Sequence, residues 1–167
     1  MKYETNYTKL QTYSLVLLRW LIGWHILYEG IAKLLNPDWS SLGFLQQAQG
    51  IMSGFAGWVT SHPNVLSTVD FLNTWGLIAI GVGLLLGICA RTAAWAGAIL
   101  VFIYYLTCPP LIGVEYTRPV DGNNLIVDKT LLESIALVVL AVFPTSAVVG
   151  LDAIIQRLKI KRNGGVK

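Results

Sequence analysis

The stretch WHILYEGIAKLL, from Trp24 to Leu35, places His25, Glu29 and Lys33 four residues apart, with Arg19 six residues before His25. An imidazole and a carboxylate beside an apolar slot can exchange protons with a substrate. Two basic side chains can hold an anion through charge-assisted hydrogen bonds. All four residues lie in an apolar run, where insertion scales charge about 2.5–3.5 kcal/mol for each Asp, Lys or Arg near a helix centre. Such groups must pair, reach water or use interfacial positions.

With Arg19 set to zero and about 100° per residue, His25, Glu29 and Lys33 fall near 240°, 280° and 320°. The four share a sector of roughly 120°, expected to face a helical bundle. Trp20, Leu27, Ile31 and Leu35 occupy the opposite side, expected to face lipid. Glu29 precedes Lys33 in the favourable i,i+4 order, so an internal ion pair is the simplest compensation.

The elements that carry these residues follow from composition. The chain has 167 residues, 54% apolar and 13% charged, with a mean hydropathy of +0.61. A soluble domain carries about a quarter charged residues. Apolar runs at approximately 13–35, 72–90, 93–108 and 130–149 are each near the ~20 residues that cross hydrocarbon as a helix. The expected fold is an all-α membrane protein, a four-transmembrane-helix bundle with short interfacial helices in the first outer loop. It forms one integral-membrane domain over 1–167, ending in a basic amphipathic tail at 152–167. The polar N-terminus and the long run after it argue against a cleavable signal peptide.

Basic residues set the orientation. Lys2, Lys9, Arg91, Arg157, Lys159, Lys161, Arg162 and Lys167 fall on one side, whereas Asn36 to Phe71 contains no Lys or Arg and Pro109 to Asp128 only Arg118. The positive-inside bias puts both termini in the cytoplasm, in a multi-pass protein of the inner (cytoplasmic) membrane. The net charge of +3 reflects this distribution and not a nucleic-acid surface. Cys89 and Cys108 fall at opposite ends of spans, roughly 30 Å apart and beyond disulfide reach.

Local signals refine the spans. Gly76, Gly83 and Gly87 suggest a small-residue packing face. Arg91-Thr92 reads as a short inner turn with Thr92 as N-cap. Thr130 to Glu133 has capping-box spacing, and Pro144 should kink or end the fourth helix. By depth, residues 25 to 33 share the outer half with Asn73, Trp75, Tyr104, Tyr105 and Glu133, while Arg19 lies deeper.

The candidate catalytic residues are therefore His25 and Glu29, and the candidate substrate-binding residues are Arg19, Tyr28, Lys33, Trp75, Tyr104 and Glu133. Each has a structural alternative. Lys33 can snorkel, Glu133 can serve a capping box, and Trp75, Tyr104 and Tyr105 can form an interfacial aromatic belt. Only His25 lies in a span, so a haem between two membrane histidines is excluded. Metal-spaced Cys/His clusters and glycine-rich nucleotide fingerprints are absent from the sequence. Any redox cofactor is expected to be diffusible and lipid-soluble.

The stretch from Trp24 to Lys33, followed by Asn36-Pro37-Asp38-Trp39, resembles the DoxX/DoxD family of small four-span membrane proteins. It looks closest to the DoxD-type branch, the membrane subunit of thiosulfate:quinone oxidoreductase. GLLLGICARTAA and DGNNLIVDKTLLESIALVVLA add to the likeness, which covers roughly Leu18 to Asp152. One departure is Glu29, where many members of the broader DoxX branch carry His before the glycine. The resemblance implies oxidation of a small reduced sulfur compound outside, electron transfer to membrane quinone, and a second subunit. The competing class is a non-catalytic membrane partner or scaffold subunit, possible also as a homo-oligomer, in which the charged stripe keeps helices in register. A carrier is disfavoured by the lack of inverted repeats. The charge asymmetry generates a first prediction: reporter fusions at the C-terminus are active only in cytoplasmic form, and a C-terminal reporter active only outside contradicts this orientation.

Overall fold

The first helix begins where the sequence offers a cap. Thr8 Oγ1 accepts from the Gln11 backbone N–H at 3.3 Å, and Gln11 Oε1 accepts from the Thr8 N–H at 2.9 Å. This reciprocal capping box starts α1 (Lys9–Leu35) four residues ahead of the expected boundary. Asn36-Pro37 ends it. The computed structural model describes residues 7–110, 126–146 and 149–153. Most of the second expected outer loop, and the expected basic tail beyond residue 153, lie outside the described residues.

Four helices follow before the third long one is complete. The connection after α1 contains α2 (Leu42–Leu45), a 3-10 turn at Gly50–Met52 and α3 (Ser53–Thr60). Pro63, at the first helical position where its missing N–H is harmless, starts α4 (Pro63–Leu86). That is nine residues before the expected boundary, because the mixed stretch PNVLSTVDF extends the helix beyond its apolar run. Then come α5 (Ala90–Thr107) and α6 (Lys129–Val142). Among the described residues there is no strand.

Among the described residues three helices, α1, α4 and α5, are long and apolar enough to cross a membrane. At 14 residues, α6 is about 21 Å long, short of a ~30 Å hydrocarbon core. It stops at Val142 because Pro144 lacks an N–H and its ring clashes with the preceding turn. The chain nevertheless runs the full length of α5. Tyr105 Oη donates to the Ile126 carbonyl (2.8 Å) at one end, and at the other Asp152 Oδ1 accepts from the Cys89 N–H (3.1 Å). We call these the loop end and the turn end of the bundle.

The turn lies earlier than the sequence suggests. Gly87 (φ 67°) closes α4 in the left-handed conformation, Cys89 (φ 48°) repeats it, and α5 starts at Ala90. Arg91 and Thr92 are thus inside the helix. Asp152 takes over the capping expected of Thr92, by accepting the Cys89 N–H.

Helix α1 packs against α4, α5 against α6, and α4 against α5, and a thinner contact between α1 and α6 closes the ring. One apolar core results, joining Ile22, Ile26, Leu77, Leu84, Ala98 and Leu137 across all four helices. The closest contact is between α1 and α4. A Cβ on Gly81 would sit 2.6 Å from the backbone N of Leu27, and one on Gly30 would sit 3.0 Å from the N of Ile78. Gly76, expected on a packing face, instead borders open space.

That contact fixes the rotation of α1. Its buried residues are Val16, Arg19, Ile22, Gly23, Ile26 and Gly30, a face centred near Arg19. The expected interior is therefore turned by roughly a quarter of a revolution. Leu27 is half-buried against Gly81, while His25 and Glu29 lie on the flank of the helix. Gly81→Ala should lower thermal stability by about 1–3 kcal/mol or prevent assembly, since overpacking here meets backbone. Gly76→Ala should be neutral. Equal melting temperatures for the two variants would contradict this packing.

Candidate functional site

The sequence stripe separates into three groups. At the turn end, Arg19 is only 2% exposed. Its Nη1 donates to Thr145 Oγ1 (3.1 Å) and its Nη2 to the Val149 carbonyl (2.8 Å). These acceptors lie just beyond the break at Pro144. Where a chain leaves helical form inside an apolar bundle, its carbonyls need other donors. Arg19 supplies them. Around it, the Asp152 N–H donates to the Gly87 carbonyl (3.0 Å), and a Cβ on Gly87 would lie 2.9 Å from Gly150 Cα.

At the loop end, Lys33 reaches across to α4 and does not pair with Glu29. Its Nζ donates to Asn73 Oδ1 (2.8 Å), and Asn73 Nδ2 meets Tyr104 Oη (2.5 Å). The ammonium also lies 5.0 Å from the Trp39 ring centroid and 5.5 Å from that of Tyr104, within cation–π range. The connection after α1 folds over this group. Asp70 accepts from Ser40 Oγ (2.8 Å) and the Ser41 N–H (2.9 Å), Phe44 packs edge-on to Tyr104 (5.8 Å), and Gln49 N–H donates to the Thr107 carbonyl (2.9 Å). A cation held between two rings, beside an amide and a phenol, is equipped to meet a small anion.

The third group lies in the seam between α1 and α6. His25 Nε2 stands 3.7 Å from Glu133 Oε2, with side chains 60% and 21% exposed. Glu29 and Lys129 are within electrostatic range of the same carboxylate. Glu133 is not in a capping box. Asp128 is the N-cap of α6, accepting the Leu131 N–H at 2.8 Å, so Glu133 lies two residues further in, beyond the first turn. Nearer the turn end, the same seam holds a groove of about 460 Å³ bounded by Tyr7, Leu10, Gln11, Ser14, Val139 and Phe143.

The structure thus joins His25 with Glu133, near Glu29, and Lys33 with Tyr104. It does not bring Arg19 to either, since 14 residues of helix, about 21 Å, separate it from Lys33. Tyr28 is exposed on α1, and Trp75 packs on Phe71 (6.2 Å) on the exposed side of α4, about 200° round the helix from Asn73. Trp39, Asp70 and Thr145 were not candidates in the sequence. Asn73 was visible only as a polar residue at the right depth.

A bundle of apolar helices with polar groups facing a lateral seam defines an integral membrane protein. The sequence model of the DoxX family matches residues 14–109, and the chain belongs to that family. No curated protein and no solved structure matches it. The match covers α1 to α5 and leaves α6, with Glu133, outside it.

Arg19→Ala should lower stability by about 3 kcal/mol or more, because two hydrogen bonds from a charged group are lost and the Thr145 hydroxyl stays buried. Tyr104→Phe, which removes one neutral hydrogen bond and keeps the ring, should cost only about 1 kcal/mol. Thermal unfolding of both purified variants checks the order, and an Arg19→Ala protein as stable as Tyr104→Phe would contradict the assigned role.

Proposed function

We propose that this protein is a membrane oxidoreductase subunit that passes electrons from a small reduced sulfur anion, thiosulfate-like, to membrane quinone, as in the DoxD-type branch. It would act as a single domain over residues 1–167, with the turn end in the cytoplasm and the segment containing α6 as a fourth crossing of the inner membrane. The short helices after α1 would lie at the outer interface. One observation carries the reading: the His25–Glu133 pair opens onto the α1–α6 seam, where a lipid-soluble molecule has lateral access.

The residues fit that acceptor. Two sulfur anions joined through a new sulfur–sulfur bond release two electrons, and a quinone becomes quinol with two electrons and two protons. His25 and Glu133 lie where they can donate those protons, and Glu29 on the same flank replaces them from the outer side. Lys33, with Asn73 and Tyr104, holds the negative donor. Arg19 is given a positioning role in this scheme.

The scaffold reading has its own support, because Lys33 and Arg19 both bond across helices. Activity separates the two. Membranes containing the protein, alone and with proteins that co-purify, should reduce a quinone analogue when given thiosulfate or a related sulfur compound. His25→Ala and Glu133→Gln should each lower that rate about 100-fold with yield unchanged. Complexes that neither bind quinone nor respond to these substitutions would leave the scaffold reading in its place.

A further inference from the structure

We infer that the groove at the turn end of the α1–α6 seam holds the prenyl tail of the quinone whose head meets His25 and Glu133. This rests on the quinone reading above and adds a determinant of tail length to it. The groove has the volume of a small-molecule site, and Leu10, Val139 and Phe143 give it apolar walls. It lies between the same two helices as the polar pair, further towards the turn end. On α1, Gln11 and Ser14 project within about 60° of His25 and Glu29, along one flank, and Tyr7 just before the helix closes the end of the groove. Val139 on α6 and Phe143 at its C-cap follow Glu133 towards the turn end and line the side of the groove opposite α1.

From His25 to Ser14 is 11 residues of helix, about 16 Å, so head and groove are separated along the seam by the length of a short prenyl chain. The polarity of the seam matches such a molecule, with ionisable groups at one end and a mostly apolar trough leading away. A lateral opening is left because α1 and α6 make the thinnest of the four contacts around the ring of helices. In a bilayer the tail gains no hydrophobic free energy by leaving lipid. Its preference for the groove comes from close packing, so the selectivity is modest.

The test uses the whole protein in nanodiscs, with one-isoprene and eight-isoprene quinone homologues compared at equal mole fraction in the bilayer. The long homologue should bind about fivefold more tightly. Ser14→Trp, which fills the groove from α1, should remove that advantage and leave binding of the short homologue as it was. Val139→Trp, which fills it from α6, gives the same readout if the first variant does not fold. Equal binding of both homologues, or a long-tail advantage that survives a folded groove variant, overturns the tail assignment and leaves the quinone reading standing. Failure of both homologues to bind overturns both. Phospholipid that co-purifies with the wild type and is lost from Ser14→Trp, without a tail-length effect, assigns the groove to an acyl chain instead.

Discussion

The fold depends on how one buried cation repairs one broken helix. Pro144 stops α6 at Val142, well short of the turn end, and the backbone turn that follows leaves carbonyls without partners from a continuing helix. In an apolar surrounding that path is tolerable only if its polar groups find donors. Arg19 provides two of them from α1, to Thr145 and Val149, and Asp152 completes the closure by joining the α4–α5 turn. A lysine donates from one nitrogen, whereas the rigid guanidinium fork presents two separate nitrogens to two acceptors. Arg19 and Asp152 together tie three elements distant in sequence.

A second constraint is the glycine contact between α1 and α4. Backbone-to-backbone approach at Gly81 and Gly30 leaves α1 no rotational freedom, and the positions of all its other side chains follow. Lys33 falls at the edge of the buried face and reaches α4. His25 and Glu29 fall on the flank that looks towards α6. The polar residues of one helix therefore serve different neighbours, with the Lys33 group enclosed by the connection after α1 and the His25 group open to the side.

Much of this was legible in the sequence. Helical apolar runs gave the long helices, Pro144 gave the end of α6, and the depth of Arg19 below the other polar residues gave its separation from them. The rotation of α1 was not legible, because it is decided by which glycines touch a neighbour. Gly76 and Gly81 look alike in a sequence, yet only Gly81 meets a backbone. The capping-box alternative for Glu133 fell for a local reason. Asp128 and Thr130 are both good caps, and only the choice of Asp128 frees Glu133 from the first turn. The acceptors of Arg19 carry no sequence signal at all, since a hydroxyl and a carbonyl after a proline are ordinary until folding brings a cation to them. The DoxX match ends at residue 109, so resemblance alone directs attention away from α6.

The Arg19 contacts also have a meaning in time. Its partners lie 126 and 130 residues later in the chain. At a synthesis rate of about 5–20 residues per second, roughly 6–25 s pass between the making of the arginine and that of its acceptors. Throughout that interval α1 exists with its guanidinium unmatched, so the first helix cannot settle until the last one has arrived. Assembly of the bundle is therefore completed from its C-terminal segment, and a nascent chain stalled before Thr145 would hold a cation with nowhere to go.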